Sequence, residues 1–170
     1  MQIREIVTEG MGRPYSLSDY QREVESPGVE KFITSFETDQ GFKYLLAFHD
    51  HDIGYYSAVT ANFYFINDDG KPISNDDDMR THQPQAQSDP RVLSTIIQEV
   101  KRFVQQRNIE VIVVEGGSQR LSDLYRYVAS RLGRNYEPHE ISGKTTIFVR
   151  RGSGLDLDDV ENNLVSHNVI

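Results

Sequence analysis

The chain has 170 residues, the length of one domain, and it can bury a hydrophobic core without disulfide bonds. It contains no cysteine, which excludes disulfides and thiolate metal sites. The formal net charge of −8 favours solubility and opposes binding to nucleic acid or an anionic membrane, and no apolar run reaches the roughly 18 residues of a membrane span.

Residues 1–30 predict a flexible N-terminal arm, because glycine, proline and serine interrupt the segment repeatedly. One short apolar cluster, Ile3, Ile6 and Val7, has the spacing of one face of a single helical turn. A tethered apolar cluster is typical of a docking peptide, so these three residues are candidates for binding a partner protein. The N-terminus shows no apolar segment typical of a secretory signal.

Apolar and polar residues alternate with period two between residues 32 and 66, which predicts three antiparallel strands joined as a meander. The first connection, residues 39–41, ends in a glycine that can adopt positive φ in a hairpin turn. Residues 67–89 follow as an acidic loop without apolar pattern. The core face of the three strands would carry Phe32, Thr34, Phe36, Phe42, Tyr44, Leu46, Phe48, Val59, Ala61, Phe63 and Phe65.

A long amphipathic helix is predicted next. Asp89 or Ser88 can cap it, Pro90 suits its first turn, and apolar residues then keep helical spacing for four turns. Residues 109–114 are a short continuous apolar run, which is typical of a central strand covered on both faces.

The rest of the chain predicts one more helix and one more strand. Residues 121–132 have helical apolar spacing and are followed by Gly133, a residue that commonly ends helices. Residues 144–150 predict the last strand, and residues 151–170 an acidic C-terminal tail.

The element order β-β-β-α-β-α-β predicts an α+β or α/β fold, with helices packed on a mixed, mainly antiparallel sheet. From about residue 31 to residue 150 this order resembles the GNAT acetyltransferase fold. The expected domain organisation is therefore an arm at 1–30, a GNAT-like domain at 31–150 that contains the acidic loop, and a tail at 151–170.

Residues 118–125 resemble the second motif of that family, Asn-x-x-Ala-x-x-Leu-Tyr, which opens the helix after the fifth strand. Leu124 and Tyr125 match the motif, whereas Ser118 and Leu121 stand where the family has Asn and Ala. The resemblance implies that Tyr125 would donate a proton to the leaving thiolate of coenzyme A, a role that suits a phenol.

The pyrophosphate loop of the family, Gln/Arg-x-x-Gly-x-Gly/Ala, lies before the long helix and holds coenzyme A through backbone N–H groups. The corresponding residues 83–90 contain no glycine, Pro84 and Pro90 lack an N–H donor, and Asp89 would place a carboxylate against a phosphate. We therefore expect no cofactor. An acetyltransferase that uses acetyl-CoA, with Glu115 at the end of the central strand as base, is the enzymatic alternative.

Two other groups of residues suggest binding chemistry. His49 and His51 alternate and could ligate a metal from one strand face, but the string reads as a turn between strands and offers no third ligand, so we expect no metal site.

Arg120, Tyr127, Arg131 and Arg134 would lie along one edge of the second helix. A basic and aromatic edge of this kind can contact phosphates and stack bases, which makes nucleic-acid binding a further alternative. Arginines that flank an apolar face also cover it with their aliphatic stems, and the acidic net charge makes nucleic acid an unfavoured partner.

A second resemblance is to small proteins of tailed bacteriophages, which share a helix similar to residues 91–97, an apolar strand after it, and a helix similar to residues 120–131. It implies a phage-encoded protein in the host cytoplasm or in the virion. With the degenerate cofactor loop, we expect a non-enzymatic protein–protein interaction module for virion assembly or binding of a host factor. Val169 and Ile170 in the tail are the further candidates for contacting that phage or host protein. The equal alternative for both termini is that they fray or fold back on their own domain.

Overall fold

The computed structural model of the protein describes residues 12–73, 89–115, 127, 130–142 and 145–170. These residues form a mixed α+β fold with eight strands in one open sheet and two helices. The strands are β1 (Gln21–Ser26), β2 (Val29–Glu37), β3 (Lys43–Asp52), β4 (Ser57–Ile66), β5 (Pro72–Ile73), β6 (Val111–Glu115), β7 (Tyr136–Glu140) and β8 (Thr145–Arg150). The helices are α1 (Pro90–Gln106) and α2 (Leu157–Ser166).

The strands of the sheet follow the order β1-β2-β3-β4-β6-β8-β7, and β5 pairs with the C-terminal end of β4. Among the described strands the pairs are antiparallel except for β4 and β6, which run parallel with Ala58 opposite Val111 and Thr60 opposite Val113. The predicted class, helices packed on a mixed and mainly antiparallel sheet, is confirmed at this level.

The predicted meander is formed by β2, β3 and β4. The turn between β2 and β3 closes where the Gly41 N–H donates to the Thr38 carbonyl at 2.9 Å, and Gly41 has a φ of 85° that a residue with a side chain rarely adopts. Of the aromatic residues predicted for the core face, Phe42 is partly buried, and the others are buried: Phe32, Phe36, Tyr44, Phe48, Phe63 and Phe65. The period-two pattern therefore located this part of the core correctly.

Helix α1 covers that same face of the sheet. Phe103 of α1 stacks on Phe48 with ring centroids 4.2 Å apart and meets Phe32 edge to face at 5.5 Å. The helix ends because Asn108 adopts a φ of 55°, the left-handed conformation common after helices. The chain then enters β6, which is buried between α1 on one face and α2 on the other.

The N-terminal segment differs from the predicted arm from residue 12 onward. The backbone N–H of Tyr15, a buried residue, donates to Thr95 Oγ1 at 2.9 Å, and the N–H of Ser18 donates to the Ser35 carbonyl at 2.8 Å. β1 then pairs antiparallel with β2 through a turn at Gly28. The sequence pattern missed these contacts because isolated tyrosines among breaker residues carry no periodicity.

The C-terminal tail also folds onto the domain. Helix α2 is capped by the Asp156 carboxylate and places Val160 and Leu164 in a second core, on the sheet face opposite α1. Asn168 adopts a φ of 56°, and the Val169 N–H donates to the Leu164 carbonyl at 2.9 Å. This left-handed turn directs the chain back, so that Val169 packs partly buried against the second core.

The last strand is accompanied by one that the sequence did not predict. β7 pairs antiparallel with β8 at the far edge of the sheet. Its Pro138 is compatible with this place, because proline is tolerated at a sheet edge, where its missing N–H breaks no ladder. The predicted helix at 121–132 lies mostly outside the described residues, as do residues 74–88 of the acidic loop.

Replacing Leu164 by alanine tests the second core. The side chain has 0% exposure, so we expect the free energy of unfolding to fall by about 2–5 kcal/mol in urea denaturation. Val165→Ala is the matched control: this neighbour is 55% exposed, and its loss should change stability by no more than about 0.5 kcal/mol. Equal effects of the two substitutions would contradict the packing of α2.

Candidate functional site

The N-terminus of α1 is occupied by groups of the chain itself. The Asp89 carboxylate caps the helix by accepting the Arg91 N–H at 2.9 Å, and it also accepts the Tyr15 hydroxyl at 2.5 Å. The Arg91 guanidinium lies 3.8 Å from the centroid of the Tyr15 ring and donates to the Arg13 carbonyl at 2.7 Å. The end of the helix that commonly binds phosphate therefore holds an anion of the protein.

The environment of this cap keeps its tyrosines protonated. Burial, followed by the hydrogen bond to Asp89, raises the pKa of Tyr15 above its ordinary value. Burial and then the Asp89 charge raise the pKa of Tyr44 to about 12. Gly12 is required beside the cap, because a Cβ there would lie 2.9 Å from Arg91 Cγ. These contacts join the N-terminal segment firmly to the start of α1.

A second junction lies two turns further along α1. Glu99 has only 2% side-chain exposure, and its carboxylate accepts the Tyr20 hydroxyl and two Arg102 donors, Nε at 2.9 Å and Nη2 at 2.6 Å. Burial, and next the hydrogen bond to Glu99, raise the pKa of Tyr20. These partners satisfy the carboxylate, which thereby ties residues 12–20 to α1.

The two histidines lie inside β3, which corrects the expectation that they belong to a turn. The strand reaches Asp52 because it pairs with β2 and β4 along this stretch. His49 Nδ1 lies 2.8 Å from Glu25 Oε2, and His51 Nε2 lies 3.1 Å from Thr60 Oγ1. The two rings thus have different partners, and the described residues contain no group of three acidic or histidine side chains arranged to hold a metal.

Two pKa values are shifted in this cluster. The hydrogen bond from His49 holds the pKa of Glu25 below its ordinary value. Burial, followed by the nearby His49, holds the pKa of His51 below its ordinary value. Both shifts favour the forms present near neutral pH, the carboxylate of Glu25 and the neutral imidazole of His51.

β1 forms one edge of the sheet, and its six residues are exposed. Val24 is 74% exposed on the face that also carries Arg22, which pairs with Glu30. Glu23 and Glu25 lie on the other face, and Glu23 makes no ion pair within the described part of the chain. Sequence analysis missed this edge because the strand has a single apolar residue; its alternation of charged residues was the available signal.

The arginine edge proposed for nucleic acid is only partly described. Arg131 Nη2 donates to the Tyr127 hydroxyl at 2.8 Å, and the guanidinium lies 4.7 Å from the centroid of the same ring. Arg134 is exposed, and Arg120 lies outside the described residues. Tyr127 therefore packs with an arginine of its own segment.

The other predicted site residues fall as follows. Ile3, Ile6, Val7 and Tyr125 lie outside the described residues, and so does the side chain of Glu115, whose backbone ends β6. Val169 and Ile170 are partly buried against the second core, which leaves only part of each side chain open to a partner.

Comparison with protein-family models gave no match, and comparisons with curated proteins and with solved structures gave none either. No helix in the described ranges is long and apolar enough to span a membrane.

The lowered pKa of His51 predicts a loss of stability in mild acid. Because the unfolded state binds a proton more readily at this residue, the free energy of unfolding should fall as the pH drops below about 6.5. His51→Gln should flatten the profile between pH 7 and pH 5, above the range in which Glu25 is protonated. Denaturation across this range, with NMR titration of His51, would show it; an unchanged slope in the variant would contradict the assignment.

Proposed function

We propose that this chain is a non-enzymatic protein–protein interaction module built on a GNAT-like sheet. The observation that carries the proposal is the occupied N-terminus of α1, where the Asp89 carboxylate accepts both a helix N–H and the Tyr15 hydroxyl. A diphosphate at this point would meet a fixed negative charge and would have to displace the Arg91 and Tyr15 contacts. This obstacle to a diphosphate supports a protein, and not a phosphate-containing cofactor, as the binding partner of this chain.

The GNAT-like part of the proposal is supported by topology. An antiparallel meander leads through α1 into β6, which runs parallel to β4, and an antiparallel pair completes the sheet. The parallel pairing covers Ala58 to Thr60 and Val111 to Val113, while the far end of β4 turns to β5. This order agrees with the family resemblance of residues 31–150.

The acetyltransferase alternative would need a different arrangement at α1. Backbone N–H groups would have to face the cofactor, yet the Arg91 N–H is bonded to Asp89, and Pro90 has no N–H. Tyr125 and the side chain of Glu115, the acid and base of that alternative, lie outside the described residues. The interaction role therefore remains the preferred proposal.

The proposal also covers the origin of the module and the place where it acts. The likeness to tailed-phage proteins supports a phage-encoded chain that acts in the host cytoplasm or in the virion, on a phage structural protein or a host factor. The apolar cluster Ile3, Ile6 and Val7 supports residues 1–11 as the contact with that partner.

Acetyl-CoA should leave the melting temperature unchanged in a thermal-shift titration to millimolar concentration. A ligand present at a hundredfold its dissociation constant would stabilise the protein by about 2.7 kcal/mol, which such a scan detects readily. A saturable rise in melting temperature with acetyl-CoA, and none with free adenosine, would overturn the non-enzymatic proposal.

Deletion of residues 1–11 should abolish capture of the partner while the melting temperature stays nearly unchanged. The contacts of Arg13, Tyr15 and Tyr20 with α1 are retained in the truncated chain, so the fold keeps its junctions. The measurement is a pull-down from the native host with full-length and truncated protein, read by mass spectrometry. Retention of the same partner by the truncated chain would refute the role of the apolar cluster.

A further inference from the structure

The two edge strands of the sheet, β7 and β1, differ in how readily they can pair with a strand of another protein. β7 carries Pro138 at one edge, and proline removes a backbone donor, a common protection of edge strands. β1 at the other edge has no proline and all six of its residues are exposed; its ladder with β2 is regular from Gln21 to Val24, before a bulge between Val24 and Ser26. In an antiparallel pair every second residue of an edge strand points its N–H and C=O away from the sheet, so β1 offers backbone groups to an added strand.

The charges of β1 decide which strand can add. Glu23 lies opposite Lys31 of β2, and Glu25, which stands in the bulge, lies on the same face beside His49 of β3. A second copy of the chain that paired antiparallel through β1, about a two-fold axis, would place Glu23 opposite Glu23 or Glu25 of the other copy. Like charges directly opposite each other destabilise a strand pair. The edge therefore disfavours a copy of itself.

We propose that β1 binds an extended basic segment of a partner protein by strand addition. The segment would place Lys or Arg opposite Glu23 and an apolar β-branched residue on the other face, opposite Val24, with a second basic residue near Glu25 in the bulge. The carboxylate of Glu23 has no ion pair among the described residues and is open to such a cation. The inference rests on the proposed interaction function and names the chemistry of the partner.

The side chains around β1 fit this occupant. Val24 is 74% exposed, and an apolar cross-strand neighbour would cover it. The hydrogen bond from His49 holds the pKa of Glu25 below its ordinary value and so keeps this side chain in its carboxylate form. Arg22 is already paired with Glu30, so it does not compete with the basic side chains of the added strand for the carboxylates on the opposite face.

The test uses the full chain and a short fluorescent peptide that alternates lysine and valine, with binding followed by fluorescence anisotropy. We expect saturable binding, slower amide hydrogen exchange in Gln21–Ser26 when the peptide is present, and no binding of a glutamate–valine peptide. Glu23→Lys should weaken binding about tenfold, because one attractive cross-strand pair becomes repulsive. Glu161→Lys makes the same change of charge on α2 and should change the affinity less than twofold.

Strand addition is separated from simple charge attraction by a lysine–valine peptide whose backbone nitrogens are methylated at alternate residues, with both alternate sets prepared. Methylation of the set that faces β1 removes the ladder donors and should abolish binding. The proposal is overturned if both methylated peptides bind as tightly as the parent, if Glu23→Lys acts no more strongly than Glu161→Lys, or if no lysine–valine peptide binds. A partner captured by the full chain in the pull-down would leave the interaction function standing in those cases.

Discussion

The buried carboxylate of Glu99 imposes a constraint on which much of this structure depends. A charge with 2% exposure is tolerated only when its oxygens are hydrogen-bonded, and here the donors are Arg102 from the next turn of α1 and Tyr20 from the N-terminal segment. Because Tyr20 must reach this carboxylate, residues 12–20 are fixed along α1. The strand that follows is thereby delivered to the edge of β2.

Residues 12–20 contact α1 both at its N-terminus and toward its C-terminus. At the N-terminus, Tyr15 and Arg91 complete the Asp89 cap and fill the position where a phosphate would bind. Toward the C-terminus, Tyr20 packs on Phe103 with ring centroids 5.9 Å apart and joins the aromatic core. The segment of residues 12–20 thus completes the cap of α1 and leads into the strand that extends the sheet.

Sequence patterns predicted the parts of the fold that repeat. The alternation around Phe48 and the helical spacing around Val100 gave the meander and α1 with their core faces, since many residues contribute to each signal. The edge strands β1 and β7 escaped prediction because their stability comes from pairing with a neighbour and not from their own apolar residues. Sequence left open whether the tail folds back, because the return of Val169 to the core follows from the single left-handed residue Asn168.

The candidate site was harder to predict for a related reason. Only the Asp89 carboxylate was foreseen at the start of α1, where it was predicted as a possible cap. Its partner Tyr15 lies 74 positions away in the chain, and Tyr20 lies 79 positions from Glu99. Contacts at such separation leave no local pattern. They are evident only when the fold brings the N-terminal segment across the helix.

The junctions at Arg91 and Glu99 hold at a constant distance the two points on α1 from which the proposed contact segments start. Residues 1–11 precede the junction at Arg91, and β1 begins after the junction at Glu99, which lies eight residues further along α1. At 1.5 Å per residue the two junctions are about 12 Å apart along a rigid helix. A partner that engaged both surfaces would make its second contact at high effective concentration, because α1 holds the two starting points at a constant distance. Two weak contacts, a small apolar cluster and a short charged edge, could in this way give one stable association.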